Sequence, residues 1–159
     1  MLNISGNLRN YLLLLTMVSI SACSPVGNNS TQVEISDLVG LWDSSEKQGL
    51  KTDIIYTRVT SDGSIIEYDF DGDEVDNGLS CYQIDSGSVK SLGANHFLVT
   101  ADMHANKQFE VELELLDAGN ALKIYFLDPE DISITLNSQI WTRVADETLL
   151  DNEPACPVN

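Results

Sequence analysis

From Gln108 to Leu116 the chain changes between apolar and acidic residues at almost every step. Phe109, Val111, Leu113 and Leu115 fall on one side, and Glu110, Glu112 and Glu114 on the other. A period of two fits a strand with one buried and one wet face, because successive side chains leave a pleated strand in opposite directions. The three glutamates then read as a solvated sheet surface. Asp117–Asn120 (DAGN) marks a turn and Ala121–Leu127 a returning strand, whose Lys123 stands to offset part of the acidic face.

The same pattern recurs along the chain. Asp53–Thr60 and Ser64–Phe70 flank Asp62-Gly63, a dipeptide suited to a two-residue hairpin. That turn predicts Val59 opposite Ile66, Thr57 opposite Tyr68 and Ile55 opposite Phe70 on an inward face. It also predicts Arg58 opposite Glu67 outside, an opposite-charge pair. Leu79–Ile84, Ser88–Leu92, His96–Ala101, Ile132–Leu136 and Gln139–Val144 complete about eight to ten short strands. Helical signals are few: one turn with Ser36 as N-cap, and a weak period near Ala145–Leu150. The expectation is an all-β domain, an antiparallel barrel or sandwich, and closure into a small barrel would remove exposed strand edges. Phe70, Tyr68, Phe109 and Phe126 are expected inside it.

With 159 residues and 43% hydrophobic content, the chain has material for one core. Eight Lys and Arg stand against 25 Asp and Glu, a net charge of −17. That balance excludes nucleic acid as a direct partner, since phosphate binding needs clustered cations.

The N-terminus carries Arg9 and then the apolar run Tyr11–Ile20 (YLLLLTMVSI), too short for the roughly 20 residues that span a bilayer. Ile20-Ser21-Ala22-Cys23 follows. This resembles the lipobox of bacterial lipoproteins: an aliphatic residue, two small residues and the cysteine that receives lipid. The resemblance implies cleavage after Ala22 and lipidation of Cys23. It implies anchoring in the cell envelope, and Ser24 rather than Asp after the cysteine implies the outer membrane of a Gram-negative bacterium. Residues 1–22 are then the signal peptide, 23–35 the lipidated cysteine with a Pro-, Gly- and Ser-rich tether, and 36–159 one β-barrel domain. The mature chain would hold 7 cations against 25 acids, a charge of −18. In that oxidising compartment, Cys81 and Cys156 remain and are expected to pair.

Gly40-Leu41-Trp42 opens the first strand, and Trp141-Thr142-Arg143 lies in the last. Here the chain resembles the lipocalin and calycin barrels, in which a Gly-x-Trp opens strand one and a cation packs over the indole. The resemblance implies that Trp42 plugs one barrel end with Arg143 across its ring. A second lipocalin motif is absent: Thr52-Asp53-Ile54 comes too early.

Asp69, Asp71, Asp73, Glu74 and Asp76 cluster after the hairpin. Alternate carboxylates resemble a calcium loop, but the EF-hand positions for Gly and bidentate Glu hold Glu74 and Ser80. What remains is a weak calcium site at Asp69, Asp71, Asp73 and Asp76, or a plain acidic loop; no other cofactor is expected. His96 and His104 lack partners at zinc-ligand spacing, and no Ser or Cys sits in a nucleophile context. The expectation is a non-enzymatic lipoprotein, anchored to the membrane through Cys23, whose barrel takes a hydrophobic or amphipathic small molecule. The alternatives are an acidic interaction module that inhibits a cationic enzyme, as lysozyme-inhibiting lipoproteins do, and a structural envelope protein.

Overall fold

Eight antiparallel strands close into a barrel in a computed structural model that describes residues 32–102, 107–127 and 138–157. The lipobox with Cys23, the tether up to residue 31, His104 and the strand expected over Ile132–Leu136 lie outside the described residues. The chain enters through one helical turn, α1 (Ile35–Leu38). Its N-cap is Glu34, not Ser36. The Glu34 amide donates to Asp37 Oδ2 at 2.9 Å, and the Glu34 carboxylate takes the amide of Asp37. A reciprocal box satisfies two orphan donors where the serine would satisfy one.

Strand β1 (Gly40–Asp43) is followed by a separate two-stranded hairpin, β2 (Glu46–Gln48) and β3 (Lys51–Asp53). The meander then runs through β4 (Ile55–Val59), β5 (Ser64–Phe70), β6 (Tyr82–Gly93), β7 (His96–Ala101), β8 (Lys107–Leu116), β9 (Ala121–Phe126) and β10 (Ser138–Arg143). β1 pairs with both β4 and β10, which closes the barrel. The alternation in β8 stands: Val111 and Leu113 are buried while Glu110, Glu112 and Glu114 are exposed, and Glu114 faces Lys123. Residues 145–152 form turns and no helix.

The hairpin register differs from the two-residue expectation by one position. Thr60 and Ser64 flank a three-residue loop: the Thr60 amide donates to Ser64 O, and the Gly63 amide to Thr60 O, each at 3.0 Å. Gly63 takes φ +83°, the left-handed residue that ends such a loop with a bulge. Val59 therefore pairs with Ile65, Thr57 with Glu67 and Ile55 with Asp69. A slip of one residue exchanges the faces of a strand. Tyr68 and Phe70 leave the interior and pack with Tyr56 and Tyr82, at 5.1–6.5 Å between ring centroids. Glu67 turns inward. Arg58 stays outside, opposite Ile66, and donates to Glu147 O and Asp151 Oδ1 of the C-terminal segment.

That segment is held a second time. Cys81 and Cys156 form a disulfide across 75 residues of chain. Beside it, the Tyr82 amide donates to Pro154 O and the Cys156 amide to Tyr82 O, both at 2.9 Å. No helix among the described residues is long and apolar enough to cross a membrane.

Candidate functional site: the barrel interior

The interior has two chemically different ends. At one end Trp42, fully buried, donates from its indole nitrogen to Leu38 O at 2.8 Å. Arg143 lies over the Trp42 ring with its guanidinium carbon 4.2 Å from the centroid. Its nitrogens donate to the carbonyls of Asp37, Val39 and Gly119 at 2.8, 2.7 and 3.0 Å. Gly40 makes that fork possible. It holds φ +132°, and a Cβ there would sit 2.7 Å from Arg143 Nη1. Phe97 and Trp42 belong to one apolar core with Leu38, Val59, Val89, Val111, Leu113 and Leu122, and these last six also line the space inside the barrel.

Toward the other end the inner face does not fill. Small side chains, among them Thr57, Gly87 and Ala101, leave a cavity of about 410 Å³. Eight strands enclose an interior that side chains just fill or that holds one small ligand, so small inner residues decide between the two. Phe109, Ile124, Phe126 and Trp141 supply apolar wall, with Phe109 and Phe126 5.9 Å apart. Of the four aromatics expected inside, these two are there.

The cavity also has polar walls. Glu67 and Asp85 face each other across β5 and β6, and Glu46 and Lys107 line the same end. Gln139 donates to Glu46 and accepts from the Trp141 indole at 3.3 Å, a polar path along the wall. Burial, reinforced by the charges of Asp69, Asp85, Glu46 and Asp53, pushes the Glu67 carboxyl up to about 7. Glu46 is raised too, first by burial and then by Asp53.

Asp69 follows Glu67 on the inner face of β5 and joins a second group. Asp53, Asp69 and Asp76 each present an oxygen within 4.8 Å of the other two. Asp71 and Asp73 are turned to other work. Asp71 accepts from the Leu79 amide and from Gln83, while Asp73 accepts from the amides of Ile54, Val75 and Asp76. Of the four carboxylates read as a calcium set, two therefore meet at one point, joined by Asp53 from β3. Cys81 and Cys156 lie near Asp71, but their sulfurs are bonded to each other. His96 reaches Glu110 on the outer surface, Nε2 to Oε2 at 2.8 Å.

Sequence reasoning missed Glu46, Asp53, Glu67 and Asp85. For Glu67 and Asp85 the one usable signal was Gly63, which serves a three-residue loop as well as a two-residue one. Glu46 and Asp53 depend on where the β2–β3 hairpin folds, which no local pattern encodes.

No family model matches the chain, and no curated protein matches it. Among solved structures it is similar to a redesigned beta barrel, with 15% identity, a TM-score of 0.39, and coverage of 72% of this chain and 98% of that one.

Proposed function

We propose that this chain is a lipid-anchored lipoprotein of the cell envelope whose barrel binds an amphipathic small molecule. The observation that carries the reading is the 410 Å³ cavity, with apolar wall on one side and Glu67 and Asp85 on another. Its volume falls in the range of about 300–1,000 Å³ that small-molecule sites occupy. An apolar body fits against Phe109, Phe126 and Trp141. A head that donates hydrogen bonds or carries positive charge fits the carboxylates. The reading is of binding rather than catalysis, because apolar wall and complementary charge are what such a site needs to hold a molecule. The lipobox-like Ile20-Ser21-Ala22-Cys23 supports the anchor, and Ser24 supports the outer membrane. Trp42 under Arg143 supports the lipocalin and calycin resemblance.

The test is displacement of a neutral naphthylamine fluorophore from the full-length protein in mild detergent. A medium-chain alkylamine is expected to displace it, and the carboxylic acid of equal chain length to compete far less. A protein that takes up no fluorophore and holds no adduct in native mass spectrometry overturns the reading. The acidic surface would then point to a cationic protein partner.

A further inference from the structure

We propose that Asp53, Asp69 and Asp76 form a binding site for a calcium-class divalent cation at the junction of β3, β5 and the loop that follows β5. The three carboxylates come from separate parts of the chain, and each offers one oxygen within 4.8 Å of the others. Proximity of acids alone would say little. The second observation concerns the individual atoms. Asp53 is only 9% exposed; its Oδ2 accepts from Gln48 Nε2 at 2.9 Å, while its Oδ1 is buried with no hydrogen-bond partner. Asp69 Oδ1 is likewise buried and without a partner. An orphaned buried carboxylate oxygen is costly, and carboxylates that bring oxygens within 4.8 Å of one another also repel. A cation between them answers both costs at once.

The surroundings point the same way. Burial and then the charges of Asp73 and Asp76 raise Asp53. Burial and then Asp53, Asp76, Asp73 and Asp71 raise Asp69 to about 6. The nearby ammonium of Lys51 is directed to Glu74 O, at 2.6 Å. Asp73 supplies the scaffold: one of its oxygens takes the Ile54 amide at 2.7 Å, tying the loop to the residue after Asp53. An all-oxygen, trianionic set of irregular geometry suits calcium, which accepts six to eight oxygens flexibly. Magnesium demands a near-ideal octahedron and keeps its waters. Loop carbonyls and water would complete the shell.

The experiment is calorimetric titration of calcium into the full-length protein, alongside thermal unfolding. The expected result is saturable binding with a dissociation constant of about 0.1–1 mM, the range of extracellular calcium modules. At about ten times that constant, the unfolding midpoint should rise by roughly 5 °C. Asp53→Asn keeps the size of the side chain and should abolish both effects. Asp76→Asn, at an exposed position, should weaken binding at least tenfold without altering the fold. Glu112→Gln, on the outer face of β8, should bind as the wild type does. The proposal is overturned if sodium at equal ionic strength gives the same stabilisation, if calcium produces no saturable heat, or if both aspartate variants bind like the parent protein.

Discussion

Glu67 stands opposite Thr57 across β4 and β5, and because Thr57 is 1% exposed and faces inward, the glutamate does too. A carboxyl on the inner wall of a small barrel ties stability to pH. In the unfolded chain Glu67 ionises near its ordinary 4.5, whereas in the barrel it keeps its proton up to about 7. Between those values the folded chain binds more protons, so this contribution to stability falls as pH rises. Its full span is on the order of 3 kcal/mol. Asp69, raised to about 6 chiefly by burial, works in the same direction over a lower window. Glu67→Gln should match the wild type below pH 4.5 and exceed it in stability above pH 7. Urea unfolding across that range checks this; a pH-independent difference between the two proteins would contradict the inward placement.

The Trp42–Arg143 pair locks one end of the barrel. Arg143→Met removes the cation over the indole and three charge-assisted hydrogen bonds, and should cost about 2–4 kcal/mol. Arg143→Lys retains the charge but not the fork, so it should lose a large part of the same amount. Gly40→Ala should approach the methionine variant, since its new Cβ meets Arg143 Nη1 at 2.7 Å with φ at +132°. Equilibrium denaturation of the three variants measures the order, and an unaffected Gly40→Ala would show that the fork tolerates displacement.

The Cys81–Cys156 bond closes a loop of 75 residues. Loop entropy sets its contribution at up to about 4 kcal/mol. A Cys81→Ser, Cys156→Ser double variant should keep the barrel but unfold about 10 °C or more earlier. Its C-terminal segment should also become sensitive to limited proteolysis. Equal midpoints with and without reductant would mean that Arg58 and the backbone bonds to Tyr82 suffice to hold the segment.

Gly63 decides which face of β5 is inside. With φ at +83° and a would-be Cβ only 2.6 Å from Val89 O, Gly63→Ala is strained in both backbone and space. A cost of about 1–3 kcal/mol is expected. Chemical denaturation gives the number, and a neutral substitution would argue against the three-residue loop.

Val99 lines the cavity without belonging to its charged part. Val99→Phe should occupy ligand space and weaken fluorophore binding at least about tenfold, or 1.4 kcal/mol. Circular dichroism should be unchanged. Undiminished binding would place the fluorophore outside the barrel.

The amino-acid sequence by itself determined the class of structure. The alternation from Gln108 to Leu115 in β8, the turn at Asp117–Asn120 and the regular spacing of short strands specify antiparallel β, because a period of two is a local property of a pleated chain. The pairing of Cys81 with Cys156 was legible from their number once Cys23 was set aside, and closure of the barrel removes the open edges that such strands would otherwise leave. Which residues face inward around the first hairpin was decided only by the tertiary structure. Asp62-Gly63 serves a loop of two residues or of three, and the difference of one position exchanges Tyr68 and Phe70 for Glu67 and Asp69. The three-residue loop prevails because Gly63 takes the left-handed conformation and its carbonyl accepts the Val89 amide at 2.8 Å. The meeting of Asp53 with Asp69 and Asp76 is likewise tertiary. It depends on the Asp73 bond to the Ile54 amide, a contact across 19 residues that no neighbouring pattern announces.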